Sequence, residues 1–410
     1  MKEIFIHQQK SSSSSSILKT LTLMATKHLS MNWSITDHNH QQQQQQQTEH
    51  EPFIGIDSIQ QQQQIIVDYK SLGNNTKLVT KCLQFLIQFL TVQLKNGHYI
   101  PVVGLGTSRI ATTSEQIIQA IKNAINVGYR HIDTADFYQN EKDIGQALYE
   151  LIQDGKITRE ELFITTKVWS NHHTKELAIK SVRQSLKNLR IDYLDLVLIH
   201  WPMSFQSGDE FVPKFTNNNT IIGSDLSKEN FELAYQGLED ACDQNLTRSI
   251  GVSNFNIKQL DKLLSTTTTT TNRRRRYEPV VNQVECHPHL NQEKLLEYCQ
   301  NKHIHLVAYS PLRRANVELF VEPKLKQIAL EHNRTIAQII LRWQLQRGIV
   351  IIPRTNKKHR MIENISLFDF QLNQTEMLAI MSLDKSDNNG GREITFESAS
   401  HLPEFPFVIQ

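Results

Sequence analysis

Residues 163–200 read FITTKVWSNHHTKELAIKSVRQSLKNLRIDYLDLVLIH, which has the pattern of a strand, a helix and a second strand. It begins and ends with short apolar, β-branched runs, Phe163–Lys167 and Leu196–His200, which are typical of buried strands. Between them, Thr174–Leu189 has the 3.6-residue periodicity of an amphipathic helix. The residues expected on its buried face are Leu177, Val182, Leu186 and Leu189. A strand, a helix and a second strand in this order predict a parallel βαβ unit with a right-handed crossover.

The same alternation extends along the chain in both directions. Further helical patterns cover Ser114–Val127, with Ser114 as the expected N-cap, Phe231–Gln244 and Thr335–Gln346. The eight strand candidates are Val102–Leu105, Arg130–Asp133, Phe163–Lys167, Leu196–His200, Ser249–Val252, Val280–Val284, His305–Ala308 and Ile349–Ile352. Eight strands, each followed by a helix, over a span close to the roughly 250 residues of a (β/α)₈ barrel, predict an α/β protein with a TIM-barrel fold.

A β-hairpin is expected just before the barrel, where it would form the floor. Thr91–Leu94 alternates polar and apolar residues, Asn96-Gly97 is a strong two-residue turn signal, and Tyr99–Pro101 resumes the extended pattern. The alternative fold is an open, doubly wound sheet. The only candidate for its dinucleotide fingerprint, residues 104–109, has Arg109 where the third glycine should stand.

The N-terminal part of the 410-residue chain has a different composition from the rest. It contains the homopolymers Ser11–Ser16, Gln41–Gln47 and Gln60–Gln64. Polar repeats cannot bury enough apolar surface to offset the entropy of ordering the chain. We therefore expect residues 1–90 to be a low-complexity, disordered extension and residues 91–410 to form the barrel domain.

Charge and cysteine usage exclude several classes of function. The chain has 44 basic and 42 acidic residues, a net charge of +2, which gives no general electrostatic case for binding nucleic acid or an anionic membrane. The insertion 266–276, a threonine run followed by Arg273–Arg276, is expected to be a solvated loop. The cysteines Cys82, Cys242, Cys286 and Cys299 form no C-x-x-C pair, which fits a reducing compartment such as the cytoplasm. No apolar run approaches the roughly 18 residues of a membrane span.

Polar residues end three successive predicted strands. Asp133, Lys167 and His200 each follow an apolar run, and Tyr138 lies just beyond the first of them. The strand ends of a parallel barrel meet at one mouth, so we expect these four side chains to converge there. Burying an acid, a cation and an imidazole together is costly unless the groups pair and are used.

Such a set suits proton donation to an oxygen that is gaining negative charge. A nearby ammonium favours tyrosinate and so is expected to lower the pKa of Tyr138, while Asp133 keeps Lys167 charged and oriented. His200 can hydrogen-bond a carbonyl oxygen and align it. The chain has no nucleophile elbow and no H-E-x-x-H motif, and the histidine pairs near residues 172 and 287 lack further ligands, so we expect no metal site. Carbonyl polarisation without covalent attack points to hydride transfer from a nicotinamide.

Ordered motifs across residues 91–410 resemble the aldo-keto reductase family. They are Gly104–Thr107, Asp133–Tyr138, Thr166–Trp169, Leu198–Pro202, Ile250–Phe255, Asn282–Pro288, Ala308–Leu312 and Ile352–Thr355 with Arg360, Glu363 and Asn364. The resemblance implies a barrel that binds NADPH without a Rossmann domain. It also implies that Tyr138 is the general acid, that Lys167 and Asp133 tune it, and that His200 orients the carbonyl.

The resemblance further implies a cofactor site and a substrate pocket. Thr107, Asp133, Ser253, Asn254 and Gln283 would lie at the nicotinamide, with Tyr309 stacked on its ring. Ser310 and Leu312 would follow the pyrophosphate. The adenosine end would be held by Arg354, Thr355, Arg360, Glu363 and Asn364, and guanidinium groups suit the 2′-phosphate of NADPH. Trp169, Trp201 and His200 would bind the carbonyl substrate.

Three departures from the family pattern bear on the expectations. Arg354 stands where many members have lysine, and Ser108 stands where many have a pocket tryptophan. The segment Arg313–Glu322 is short, which suggests the bacterial and plant-microbial branch rather than the animal aldose reductases. The tail Pro403–Phe407 is similar to the family tail, which in some members reaches over the substrate pocket.

The expected function is NADPH-dependent reduction of aldehydes, and of some ketones, by a cytoplasmic monomer. Its partner is a small-molecule carbonyl substrate, with no nucleic acid and no membrane. The alternative is an NADPH-binding barrel that serves as a redox-sensing partner subunit, as the potassium-channel β-subunits do. Those relatives keep the four residues that correspond to the predicted catalytic set. The presence of the set therefore does not distinguish a reductase from a redox-sensing subunit.

Overall fold

Ten strands build the described part of the molecule. The computed structural model describes residues 90–215, 219–265, 275–386 and 391–407. The strands are β1 (Thr91–Gln93), β2 (Tyr99–Pro101), β3 (Gly104–Gly106), β4 (His131–Asp133), β5 (Phe163–Val168), β6 (Leu194–Ile199), β7 (Thr247–Ser253), β8 (Val281–Glu285), β9 (His305–Tyr309) and β10 (Val350–Ile351). Strands β3 to β10 form one sheet in sequence order, and each neighbouring pair is parallel.

The sheet closes into a barrel. Val103, just before β3, forms a parallel bridge with Ile351 in β10. The Ile351 N–H donates to Val102 O at 2.9 Å, and the Gly106 N–H donates to Pro353 O at 3.2 Å. The predicted eight-stranded barrel is therefore confirmed, and the open doubly wound alternative is wrong.

Helices follow the barrel strands. They are α1 (Ser114–Val127), α2 (Glu141–Gln153), α3 (Lys175–Leu189), α4 (Phe231–Asp243), α5 (Ile257–Leu264), α6 (Glu293–Asn301), α7 (Val317–Phe320), α8 (Pro323–Glu331), α9 (Ile336–Gln346), α10 (Lys358–Ile365) and α11 (Gln374–Met381). The four predicted helices are confirmed, with small corrections at their ends; α4 begins at Phe231 as predicted but ends at Asp243, and Gln244 is its C-cap. The N-cap of α1 is Thr113 and not Ser114, and Thr174 and Thr335 are N-caps, because their hydroxyls accept the backbone N–H groups of the first turn.

The hairpin covers the N-terminal end of the barrel, as predicted. β1 and β2 pair antiparallel, and Val92, Leu94 and Ile100 are buried in the main core. The Nε2 atom of His305, at the start of β9, lies 2.9 Å from Gln93 O. Because this end is closed, the opposite end, where the barrel strands terminate, is the one that carries the site.

We propose that the barrel folds without residues 1–89. Residues 1–89 of the predicted low-complexity extension lie outside the described residues, whereas its last residue, Leu90, is described. The predicted solvated loop is described only at Arg275 and Arg276, and Arg276 forms ion pairs with Asp240 and Asp243. Leu90 is buried, and its carbonyl accepts the Val102 N–H at 3.1 Å. A chain beginning at Leu90 should keep the melting temperature and specific activity of the full chain, measured by circular dichroism and NADPH oxidation. Insoluble protein would show instead that the extension contributes to the core.

Candidate active site

Three adjacent strands deliver the predicted catalytic groups to one end of the barrel. Asp133 is the last residue of β4, Lys167 is the penultimate residue of β5, and His200 directly follows β6. Tyr138 ends a single 3₁₀ turn that begins three residues after β4. Parallel pairing of β4 with β5 and of β5 with β6 places these residues side by side, which explains why residues distant in sequence converge.

Lys167 is the centre of the cluster. Its side chain is fully buried, and its Nζ atom donates to Asp133 Oδ1 at 2.6 Å and to Thr134 O at 2.8 Å. The same ammonium lies 3.5 Å from the Tyr138 hydroxyl. The second carboxylate oxygen of Asp133 accepts from Gln283 Nε2 at 2.7 Å. Asp133 therefore keeps the ammonium of Lys167 next to Tyr138. Gln283 of β8 in turn keeps the carboxylate of Asp133 in place.

The pKa of Tyr138 differs from the sequence-based prediction. Burial raises this pKa well above its ordinary value of 10, and the carboxylate of Asp133 raises it further, whereas the prediction was a lowered pKa. The prediction was wrong because it counted the ammonium of Lys167 and left out the desolvation of tyrosinate and the charge of Asp133. Burial also lowers the pKa of Lys167, and Asp133 opposes that change. At neutral pH Tyr138 holds its proton, which is the state a general acid needs.

His200 is neutral in this setting. Burial, reinforced by the positive charge of Lys167, holds its pKa well below 6.5. Its ring meets the Tyr138 ring edge-on, with centroids 5.7 Å apart. The backbone carbonyl of His200 accepts from the Asn254 side-chain amide at 2.9 Å. A neutral imidazole beside a protonated phenol offers two hydrogen-bonding groups to a single acceptor oxygen.

An aromatic wall adjoins these groups. Trp169 packs edge-on against His200 at 4.9 Å and stacks on Phe137 at 3.8 Å between ring centroids. Trp201 contacts Phe396 at 5.2 Å, and Phe396 also contacts Trp169 at 6.2 Å. The predicted pocket residues Trp169 and Trp201 are thus brought together beside His200. Phe137 and Phe396 were not identified from the sequence.

Of the predicted nicotinamide residues, Ser253 ends β7, Tyr309 ends β9 and Gln283 is the middle residue of β8, where it contacts Asp133. The Ser253 hydroxyl donates to Gln283 O at 2.8 Å, and the Tyr309 hydroxyl donates to Asn254 Oδ1 at 2.8 Å. Thr107 lies across the mouth, and its hydroxyl donates to Asp133 O at 2.9 Å. Side-chain amides and hydroxyls in this position match the carboxamide of a nicotinamide, which needs both donors and acceptors.

The predicted phosphate end lies after β10 and is cationic. Arg354 and Arg360 are exposed, and Arg354 Nη1 donates to Arg109 O at 2.6 Å. Burial lowers the pKa of Arg354, and so do the nearby charges of Arg314 and Arg109. Guanidinium groups gathered at the ends of adjacent strands fit a phosphorylated cofactor. The sequence-based prediction included Arg354 and Arg360 but neither Arg109 nor Arg314.

The remaining predicted cofactor residues have varied surroundings. Thr355 and Asn364 are buried, and the carboxylate of Glu363 accepts from the Thr335 hydroxyl at 2.5 Å. Ser310 and Leu312 are half-buried after β9. Ser108, which stands where many members of the family have a pocket tryptophan, is exposed.

Glu141 is a buried acid that sequence reasoning missed. It is the first residue of α2, and its carboxylate accepts from the Thr166 hydroxyl at 2.6 Å, one residue before Lys167. Burial raises its pKa to about 7. Its negative charge favours the protonated form of Lys167. In the sequence, Glu141 is an acid at the start of a helix. Such acids are common because they interact favourably with the helix dipole, so this position did not mark Glu141 as a buried residue of the site.

Residues 90–215, 219–265, 275–386 and 391–407 contain neither a cluster of metal-binding side chains nor a membrane-spanning helix. In these ranges no group of three or more histidine, cysteine or acidic side chains is placed to hold a metal ion. Over the same part of the chain, no helix has the length and apolarity to span a bilayer.

Known proteins are similar to this chain in sequence and in fold. Residues 102–385 match the model of the Aldo/keto reductase family. Prostaglandin F synthase 1 of Bos taurus is 42% identical over 327 residues, which cover 77% of this chain and 97% of that protein. The aldose reductase of Schistosoma japonicum has a TM-score of 0.70 at 34% identity, and a Bombyx mori aldo-keto reductase in complex with NADP has a TM-score of 0.67 at 35% identity. Both structures cover 77% of this chain and are covered to 98%.

These relatives correct one expectation. The short segment Arg313–Glu322 suggested the bacterial and plant-microbial branch, and that placement is not supported, because the relatives named here are animal proteins. In the structure this segment holds one 3₁₀ turn and the four-residue helix α7. Its length is therefore a poor guide to the branch. The partner-subunit alternative gains no support from these relatives, which are described as a synthase and as reductases.

Proposed function

The chain belongs to the aldo/keto reductase family and is an NADPH-dependent carbonyl reductase, and we propose that Tyr138 is its general acid. The observation that carries this proposal is the position of the Lys167 ammonium, 2.6 Å from Asp133 and 3.5 Å from the Tyr138 hydroxyl. We propose that Asp133 and Lys167 position and polarise this hydroxyl and that His200 orients the substrate carbonyl.

The bound NADPH supplies a hydride for the carbonyl carbon. The chain's own residues handle the oxygen. His200, neutral because it is buried, donates a hydrogen bond that holds the carbonyl oxygen toward Tyr138. As negative charge develops on that oxygen, Tyr138 donates its proton, and the ammonium of Lys167 stabilises the phenolate that remains. Asp133 keeps the ammonium in place throughout.

We propose that the cofactor lies across the mouth of the barrel. Ser253, Asn254 and Gln283 would hold the carboxamide, and the ring of Tyr309 would lie against the nicotinamide. Arg354, Thr355 and Arg360 would take the 2′-phosphate, with Glu363 and Asn364 near the adenine. The donor set supports this arrangement, since amides and hydroxyls occupy one end and guanidinium groups the other.

The aromatic wall supports a proposal for the substrate class. Trp169, Trp201 and Phe396 pack together beside His200, with both tryptophans buried, and such an apolar, aromatic environment favours a carbonyl attached to an aromatic or other apolar group. A screen of NADPH oxidation with glyceraldehyde, methylglyoxal, 4-nitrobenzaldehyde and keto sugars tests this assignment. The aromatic aldehyde should give the highest kcat/KM, and a preference for the sugars would remove the assignment.

We also propose that the enzyme is a monomer and acts in the cytoplasm. Cys242, Cys286 and Cys299 are free thiols in the described residues, which fits a reducing compartment. Sedimentation at micromolar concentration tests the monomer, and a dimer mass would contradict it.

Arg360→Ala should weaken the binding of NADPH far more than that of NADH. The guanidinium is exposed on α10 and would contact only the 2′-phosphate, so its loss removes one charge-assisted hydrogen bond, worth about 1.5–3 kcal/mol or roughly a ten- to hundredfold change in affinity. Titration of both cofactors by protein fluorescence measures the two dissociation constants. Equal weakening of NADPH and NADH would contradict the assignment.

A further inference from the structure

The segment that follows β9 is held in a costly backbone conformation. Ser310, Arg313, Arg314 and Ala315 have φ angles of 47°, 47°, 54° and 61°. Residues other than glycine rarely adopt positive φ and keep it only where the surroundings impose it. We call residues 310–316 the strap. Because the strap carries Ser310 and Leu312 of the proposed cofactor site, whatever imposes its conformation also shapes that site.

Arg313 is the residue that fixes the strap. It is 6% exposed, and its guanidinium contacts three elements. Nη1 donates to Glu318 Oε2 at 2.9 Å and to Nδ1 of His289, and Nε lies 2.8 Å from Glu393 Oε1. Burial lowers the pKa of His289 to about 4, which keeps that ring neutral and able to accept.

The contact with Glu393 joins the strap to the C-terminal tail, residues 391–407. The carboxylate of Glu393 takes a second contact from the strap, since Asn316 Nδ2 donates to Oε1 at 3.1 Å. The backbone of the tail is anchored at the same place. The N–H groups of Glu393 and Ile394 donate to Glu285 Oε1 and Oε2 at 2.9 and 3.1 Å.

Glu285 is the acceptor that fixes the backbone of the tail at Glu393 and Ile394. It is fully buried at the end of β8, in register with Tyr309 of β9. Burial raises its pKa, but the hydrogen bonds from His287 and from the two tail N–H groups outweigh burial and lower the pKa overall. The carboxylate is therefore charged at neutral pH. The start of the tail is clamped between this carboxylate and Arg313.

The tail reaches the substrate pocket directly after the clamp. Phe396, three residues beyond Glu393, has a φ of 51° and packs on Trp201, Phe205 and Trp169 with ring centroids 5.2, 5.8 and 6.2 Å apart. Phe396 keeps this unfavourable backbone conformation only if neighbouring contacts impose it. The clamp at Glu393 supplies it.

We propose that Arg313 is a positioning residue that, through Glu393, places Phe396 against Trp169 and Trp201, so that the strap at the cofactor and the wall of the substrate pocket move as one unit. This inference rests on the proposed function, since it takes the cofactor and substrate sites from there. It follows that cofactor bound under the strap should increase the affinity of an aromatic carbonyl for the pocket. Linkage requires the carbonyl to tighten the cofactor by the same factor.

The test measures this coupling directly and does not depend on turnover. The dissociation constant of 4-nitrobenzaldehyde is determined by quenching of tryptophan fluorescence, without NADP⁺ and with saturating NADP⁺, which supports no reduction. The ratio of the two constants is the coupling factor. It should be roughly 5- to 150-fold in the wild type, the usual range for coupled sites. In Glu393→Gln it should fall close to one.

Matched variants separate positioning from a general loss of structure. Glu318→Gln removes an acid that also contacts Arg313 but does not touch the tail, so it should retain the wild-type coupling factor. Arg313→Met should behave like Glu393→Gln, and the double variant should show no further loss. If Arg313→Met does not fold, the pair Glu393→Gln and Glu318→Gln still decides. In Glu393→Gln, KM for 4-nitrobenzaldehyde should rise while KM for glyceraldehyde, too small to reach Phe396, should not.

Each result has a definite meaning. A wild-type coupling factor of one, an unchanged factor in Glu393→Gln, or an equal loss in Glu318→Gln would overturn the proposal. In those cases a wild type that reduces aldehydes leaves the proposed function intact. A wild type that binds NADP⁺ but reduces no carbonyl would remove the proposed roles of the catalytic residues, and the measured coupling factor would still decide the role of Glu393.

Discussion

Replacing Tyr138 by phenylalanine will lower the rate of carbonyl reduction by about 10²–10⁴-fold, the usual contribution of general acid catalysis. The change deletes one hydroxyl and keeps the ring, which lies edge-on to His200 at 5.7 Å. Among the described residues the hydroxyl makes one long contact, 3.5 Å to Lys167, so its loss leaves the ion pair of Lys167 with Asp133 in place. The fold and NADPH affinity should therefore survive.

The measurement is single-turnover reduction of 4-nitrobenzaldehyde, with NADPH affinity followed by fluorescence. Phe137→Leu serves as a control, because it alters the neighbouring aromatic wall and removes no proton donor. It should raise KM for the aromatic aldehyde more than it lowers kcat. Normal turnover by Tyr138→Phe would mean that another group supplies the proton.

Lys167→Met should lower kcat by about 10²–10³-fold, as expected when one preorganised electrostatic group is lost. The ammonium lies 3.5 Å from the Tyr138 hydroxyl, and its removal takes away a positive charge that favours tyrosinate over the protonated phenol. The phenolate formed during proton transfer also loses its stabilising charge. Activity at neutral pH should therefore fall even if substrate binds normally.

Lys167→Met should also lower the free energy of unfolding, and this effect must be separated from the effect on kcat. It leaves the carboxylate of Asp133 buried without its cation, which typically costs about 3–5 kcal/mol. Asp133→Asn combined with Lys167→Met removes both charges and should recover most of the melting temperature without recovering kcat. Recovery of kcat in the double variant would show that the loss came from unfolding and not from the missing ammonium.

The barrel was predictable because its strands are buried on both faces. Runs such as Leu196–His200 have few residues that suit any other structure, and all eight strands appear where the pattern placed them. The ends of elements were less certain. Thr174 and Thr335 are N-caps and not helical residues, since a hydroxyl at a helix start competes for backbone N–H groups.

Convergence of the four catalytic candidates was predictable because strand ends of a parallel barrel share one face. The pKa of Tyr138 was not, because its direction depends on how completely the hydroxyl is desolvated and on the distance to Asp133. The contacts of Gln283 with Asp133 and of Arg313 with Glu393 could not be predicted from the sequence either. They join residues far apart in sequence, and no local pattern marks such pairs.

The fate of the hydride shows whether the protein reduces a carbonyl by transfer from NADPH. The protein is mixed with 4-nitrobenzaldehyde and NADPH in which both hydrogens at nicotinamide C4 are deuterium, and the alcohol is analysed by mass spectrometry and NMR. We expect one deuterium on the carbinol carbon, none on the hydroxyl after exchange with water, and a slower single turnover than with unlabelled NADPH. An alcohol without deuterium at that carbon, or no alcohol at all, would contradict this expectation.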